Sequence, residues 1–320
     1  MHEQIQKAVA RELAAILGDD PQALEEYAYP LFDKGLFGPG SIVWRVHADL
    51  PSMLIGGISS LMLQSLHPLA MAAVADHSSY KTDPLTRLQK TARFVAGTTF
   101  GSTVMAEQLT SVVKSVHAAI QGVTQDQRHY SASDPKLLTF VHIAEVSSFL
   151  RAYQRYSLSP LTAAEIDNYY SEVSLVAEML GANNVPKSLT EIKLYFKSIR
   201  QELVATSEAK EALNFLRSEI DQFILNSDTK TNGDGGDSFA NTFSKAATVR
   251  IRKILTEASF ELLFYWAKDL FRQKPTMPTA ILCPAALSLC GSLRWAIGPS
   301  KVETVASLRS RGIDYKTGTA

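Results

Sequence analysis

Helix punctuation constrains this chain more than any other feature of its sequence. Asp83-Pro84 sets a capping carboxylate directly before a proline suited to the first helical position, and Asp134-Pro135 repeats the device. Thr162 with Glu165, and Ser188 with Glu191, have the spacing of capping boxes, and the helix opened by the first is expected to stop at Gly181. Between these signals apolar residues return every three or four positions, as at Leu137, Phe140, Val141, Ala144 and Phe149. Alternating patterns are scarce. Val43-Trp44-Arg45-Val46 is the one short run that reads as a strand, and only by its β-branched and aromatic residues. The fold class this predicts is all-α, as a single globular helical domain.

At 320 residues and 46% hydrophobic content the chain can bury a sizeable core. Its formal net charge is zero, so it lacks the basic excess that draws nucleic acid, and no nucleic-acid partner is expected. The expected organisation is an N-terminal helical segment at 1–40 and a helical core at 41–225. A flexible loop follows at 226–242, then C-terminal helices packing on the core at 243–298, and a polar tail at 299–320, loose at its end. The loop is read from Asn226–Asn241, a polar run rich in Gly, Asp and Asn. Cys283 and Cys290 are the only cysteines, too few for a disulfide framework and suited to a reducing compartment. Residues 1–20 are charged and amphipathic, without the apolar run of a secretory signal, which predicts a cytoplasmic protein. Two apolar stretches, Met53–Ala75 and Thr279–Trp295, are interrupted by proline and polar residues. The second has the character of a surface lying against a membrane or a partner, so a peripheral membrane contact is expected there.

Several chemistries are excluded. There is no H-E-x-x-H, no Glu-x-x-His repeat for a di-iron bundle, no phosphate-cradling glycine loop and no G-x-S-x-G. What survives is a set of single positions. Arg87, Lys90 and Thr91 share one helical face just inside the start capped by Asp83. Two cations and a hydroxyl there suit an anionic or ligating partner, although charge on a helix face is ordinarily solvation. His117 stands on a stripe with Val113, Val116 and Ile120, as either a packed core histidine or a buried ligand. His142 has Glu145 three residues on, which could orient its ring or be an ordinary helical pair. His67, before Pro68, and His77 could line a cavity or simply pack.

The order of these motifs carries a resemblance. L-x-Q-S-L-H-P at 61–68 (Leu61 to Pro68) is followed by A-D-H-S at 75–78, D-P-L-x-R-L-x-K-T at 83–91 and T-F-G at 99–101. V-H-x-x-I-x-G at 116–122, Y-S-A-S-D-P at 130–135, V-H at 141–142 and P-L-T-x-x-E-I-D-x-Y-Y at 160–170 complete the series. The chain resembles the catalytic-domain family that includes the bacterial rubber oxygenase latex-clearing protein and an ER-bound oxygenase of mycophenolic acid biosynthesis, well over residues 40–200 and loosely beyond. The resemblance implies a helical fold enclosing one haem b, with His117 as the proximal iron ligand. It implies that Arg87, Lys90 and Thr91 lie on the other side of the haem, with Lys90 able to occupy the distal iron position, and it makes His142 a further cofactor contact. The implied function is a haem-dependent oxygenase that uses dioxygen on a hydrophobic, unsaturated small molecule. A non-catalytic haem or lipid carrier or sensor on the same fold is the alternative, and a cofactor-free interaction protein is the third reading. One departure stands out. Rubber oxygenases carry a glutamate upstream of the arginine run, and Pro68–Ala75 holds no carboxylate; Asp76 and Asp83 are the nearest acids. That argues against polyisoprene as the substrate.

Overall fold

The computed structural model describes residues 21–219 and 238–319. Among these the chain forms fourteen α-helices and one small antiparallel hairpin. In order they are α1 (Pro21–Glu26), α2 (Ile42–His47), α3 (Leu50–Gln64), α4 (Pro68–His77), α5 (Pro84–Phe100) and α6 (Thr103–Ala119). The hairpin β1 (Gln121–Val123) and β2 (His129–Ser131) comes next, in the register Gly122 opposite Tyr130. Then follow α7 (Pro135–Tyr156), α8 (Ala163–Leu180), α9 (Leu189–Ile199), α10 (Ser207–Asn214), α11 (Ser238–Leu262), α12 (Tyr265–Phe271), α13 (Thr279–Ile297) and α14 (Lys301–Ser310).

The capping signals are realised. Asp134 accepts from the backbone N–H groups of Lys136 and Leu137, and Asp83 accepts from Thr86. Thr162 and Glu165 form a complete capping box, and Gly181 closes α8 in the left-handed region at φ 106°. Ser188 caps Glu191 as expected, but the Glu191 carboxylate accepts from Lys187 N–H, one residue before the cap, so that box is half formed.

The core is organised around α7, which is buried on nearly every face, against α3. The two run so close that a Cβ on Gly56 would lie 2.9 Å from both the Phe149 Cα and the Ser148 carbonyl oxygen. Ser52, Ser59 and Ser60 keep the rest of the α3 contact face small. α11 covers the other side of α3 and carries α13 on its outer surface. α3 and α4 bend by 103° at His67-Pro68, which is why the apolar stretch from Met53 to Ala75 is two helices. α13 is the one described helix that is long and apolar enough by itself to cross a membrane, and only 22% of its most apolar window is buried. Cys290 is buried on it, and Cys283 is half-buried beside Arg155.

One expectation needs correction. The run Val43–Val46 is not a strand but the middle of α2. Ser41 caps that helix, and Val43, Trp44 and Val46 are all buried, so tertiary packing overrides local β preference. Arg45 faces outward and is fixed by Glu165 at 2.6 Å, the Ser159 carbonyl and the Tyr153 hydroxyl. The polar stretch from 299, expected to be loose at its end, carries a helix. Its helix α14 packs Val305 and Ala306 against Tyr27, Trp44 and Phe100. Arg309, fully buried, donates to the carbonyls of Tyr27, Asp33 and Gly101. The short hairpin after α6 had no pattern long enough to foresee. Of the Asn226–Asn241 run, residues 226–237 lie outside the described residues, and α11 begins at Ser238. Residues 1–20 likewise lie outside them.

Candidate functional site

α5 and α6 form an antiparallel hairpin that turns at Gly101-Ser102. The ends of the Leu109 and Met105 side chains of α6 pack over Gly97 of α5. Along one face of α5 stand Arg87, Thr91, Val95 and Thr98, at spacings of one helical turn. The lower end of that stripe is interior, with Thr98 and Thr99 buried. The upper end is the rim, where Arg87 is half-buried and Lys90 and Thr91 are exposed. Burial holds the Arg87 guanidinium below its ordinary range, partly offset by Tyr80. The Thr91 hydroxyl donates to the Arg87 carbonyl at 3.1 Å, the usual back-bond of a helical threonine.

The inward stripe of α6 is Ala106, Thr110, Val113 and His117. Val116 does not belong to it. Val116 is 53% exposed and Val112 61%, so the stripe expected around His117 is narrower than its sequence implies. The His117 ring is half-buried and makes no hydrogen bond or ion pair among the described residues. Burial lowers its pKa, which favours the neutral imidazole with a free lone pair.

A narrow cleft lies deeper, where α2, α5, α7 and α8 meet. Phe94 and Val95, Val146 and Phe149, and Val173 and Val176 supply its apolar walls. Three titratable groups face it: His47, His142 and Glu145. His47 is anchored through both ring nitrogens, Nδ1 to Thr99 Oγ1 at 2.7 Å and Nε2 to the Tyr169 hydroxyl at 3.1 Å. Burial, reinforced by His142, pushes its pKa down to about 3. His142 is pushed down to about 4 by burial, and its Nε2 is a buried polar atom with no hydrogen-bond partner. Burial pushes Glu145 up to about 7. No hydrogen bond joins His142 to Glu145, so the orienting pair that their spacing allowed is not formed. His47 was invisible as a site residue in the sequence, since nothing near W-R-V-H links it to α7.

The structure brings His142 into the cleft and sets Arg87 and Thr91 on the continuation of one of its walls. It does not bring His117 or Lys90 among the cleft-lining residues. His77 and Asp76 serve the hairpin: the Tyr130 hydroxyl donates to Asp76 at 2.5 Å and pairs with His77 Nε2 at 3.2 Å. His67 packs on Phe140 with its Nδ1 unpartnered, and burial takes its pKa down to about 4. Among the described residues no three His, Cys, Asp or Glu side chains converge to hold a free metal ion.

These buried groups give stability a pH dependence whose sign follows from proton counting. Folded Glu145 keeps its proton up to about 7, whereas an unfolded glutamate releases it near 4.5, so stability from this group is lost as pH rises through that window. The three rings act oppositely. Unfolded histidines take a proton near 6.5, but His47, His67 and His142 resist it until about 3 to 4, so their contribution is lost as pH falls below 6.5. Between those limits three rings oppose one carboxyl. Urea unfolding should therefore give a lower free energy near pH 5 than near pH 6.5, at about 1.4 kcal/mol per pH unit for each unbalanced proton. Glu145→Gln should steepen that loss, and His142→Phe should flatten it.

The family model for the catalytic domain of ER-bound oxygenase mpaB/B'/rubber oxygenase matches residues 44–295. The chain belongs to this family. No curated protein and no solved structure matches it. The matched span runs from Trp44 in α2 to Trp295 in α13, well past the region around 40–200 that carries the sequence resemblance. The α5–α6 hairpin and the cleft both lie inside it, so the buried polar groups described above belong to an oxygenase catalytic domain.

Proposed function

We propose that the protein is a haem b-dependent oxygenase that uses dioxygen on a hydrophobic, unsaturated small molecule. One observation carries the reading most directly: the half-buried, unpartnered imidazole of His117 on the inward stripe of α6, beside the helix that bears Arg87, Lys90 and Thr91. A haem would ask a single imidazole of its protein, so the absence of a three-residue ligand cluster among the described residues does not bear on it. The residues fit the group in kind. His117 would hold the iron. Arg87, half-buried at the rim, would pair with a propionate. His142 offers an unsatisfied buried ring to the same region. When bound, haem supplies the activation of dioxygen that no amino-acid side chain provides.

The chain's own residues supply the rest. The apolar walls orient a hydrophobic substrate and exclude water. Arg87 fixes negative charge at the rim. Thr91, whose proton is engaged by the Arg87 carbonyl, retains oxygen lone pairs for an incoming donor. Lys90 is exposed and would have to turn inward to reach the iron. A peripheral membrane contact belongs to the same reading. The outward stripe of α13, including Ile281, Pro284, Leu287 and Trp295, bears no charge, because the helix's one cation, Arg294, turns inward onto Asp49.

The test is an absorption spectrum of protein made with ample haem, joined to oxygen uptake. A Soret band with one iron per chain and substrate-dependent consumption of dioxygen is the expected result. Binding without consumption favours the carrier or sensor reading, and a chain with neither Soret band nor iron removes haem from the account.

A further inference from the structure

Arg87 lacks what a half-buried guanidinium ordinarily has. It makes no side-chain hydrogen bond or ion pair among the described residues, and the one titratable group that acts on it is Tyr80, not an acid. Tyr80 stands in the turn that winds into α5, where the Thr82 and Asp83 N–H groups both donate to the Ser79 carbonyl, at 3.0 and 2.7 Å. Its side chain is only 7% exposed and packs edge-on against Phe215. Its hydroxyl is a buried polar atom without a hydrogen-bond partner. Burial raises the phenol, and the cations of Lys81 and Arg87 draw it back.

The charges at this corner do not balance. Three of them act on the phenol: Lys81, Glu211 on α10, and Arg87. Lys81 and Glu211 neutralise each other at 2.7 Å. Arg87 is left over. A cation drawn out of water without an anion is destabilising, and so is a buried hydroxyl without an acceptor. One group relieves both, an acceptor that carries a single negative charge. We propose that Tyr80 and Arg87 together receive the carboxylate of an otherwise apolar ligand, the phenol donating to it beside the guanidinium. This deepens the oxygenase reading and rests on it for the side of α5 that the ligand occupies; it adds Tyr80, whose hydroxyl that reading leaves unused. A carboxylate supplies the one charge that is missing and accepts from a guanidinium and a phenol at once. The way to the hydroxyl is not rigidly closed. The Lys81 ammonium lies over the Tyr80 ring, 5.6 Å from its centroid, and its pair with Glu211 is about half exposed on both sides, the kind that parts with little loss. The carboxylate has two sources, a propionate of the porphyrin or an acid group of the substrate.

Two probe pairs separate the sources: hemin with its dimethyl ester, followed by absorbance, and laurate with methyl laurate, followed by isothermal titration calorimetry. A surface that is merely apolar prefers the esters, because a carboxylate must leave water. The parent protein should instead bind an acid at least about ten-fold tighter than its ester. Tyr80→Phe, which keeps the ring on Phe215, should weaken the acid about ten-fold and leave the ester unchanged, so the ester reports that the fold is intact. A Tyr80→Phe, Arg87→Met double variant should bind acid and ester alike, and Lys81→Ala should keep the preference. Preference within the hemin pair assigns the carboxylate to the cofactor, and preference within the laurate pair assigns it to the substrate. Esters bound as well as the acids in both pairs, binding of none of the four, or a preference untouched by Tyr80→Phe would each overturn the proposal. Its fate is separable from that of the oxygenase reading. A chain with a Soret band and oxygen uptake but no preference in either pair loses only this proposal, and a chain that prefers laurate but takes up no haem loses only the other.

Discussion

A His117→Ala chain, purified from cells supplied with haem precursor, is expected to retain less than about a tenth of the haem of the parent, consistent with the weight a sole protein ligand carries. The expectation rests on what surrounds the ring. His117 is the only imidazole on the inward stripe of α6, and its neighbours there, Val113 and Thr110, cannot take over an iron bond. Burial favours its neutral form, so no proton needs to be displaced. With alanine in its place a haem would keep only apolar contacts and an ion pair at Arg87. Pyridine haemochrome assay and the Soret maximum report the loss directly. The fold should survive, because a half-buried ring without hydrogen bonds leaves no buried partner unsatisfied when removed; urea unfolding should change by no more than about 1 kcal/mol. If stoichiometry and spectrum are unchanged, His117 is not the ligand. Lys90→Ala serves as the companion measurement: a shifted spectrum at full haem content places lysine on the iron, and an unshifted one leaves it at the rim.

The largest loss of stability is expected at the other end of the sequence. Arg309→Ala should lower the unfolding free energy by about 3–5 kcal/mol, a large fraction of the 5–15 kcal/mol typical of a folded protein. Three carbonyls, from Tyr27, Asp33 and Gly101, each lose a charge-assisted donor. The bonds to Tyr27 and Gly101 are buried and that to Asp33 is partly so, and alanine also leaves a void where the largest fully buried side chain stood. Arg309→Lys should recover only part of the loss, because an ammonium cannot match a planar fork that serves three acceptors lying in different directions. Chemical denaturation of the three proteins orders them as parent, lysine, alanine; an alanine variant within about 1 kcal/mol of the parent would show that the three carbonyls find other partners.

How much of this could be read from the residues depended on range. Asp134 before Pro135, Thr162 with Glu165, and Gly181 act within a turn of where they stand, and each does what its spacing implies. Val43–Val46 misled because four residues of β character say nothing about Ser41 and the core waiting for Trp44. The expected stripe at His117 failed at Val116 for a similar reason: periodicity marks an apolar face, and only packing decides which apolar residues are covered. Arg309 was unreadable, since its acceptors lie more than 200 positions away and are backbone atoms that carry no sequence signature. The cleft was half legible. His142 and Glu145 share a helix, so their neighbourhood follows from spacing, whereas His47 joins them only through the packing of α2 against α8.

One of the Arg309 acceptors, Gly101, is the corner at which α5 turns into α6. During synthesis the chain emerges from its amino end, and Gly101 leaves the ribosome 208 residues before Arg309 does. That corner keeps an unmet carbonyl until position 309 is released. The hairpin that bears Arg87 and His117 is therefore locked only once α14 has followed it out, and a ligand that needs it set would be captured after that point rather than before.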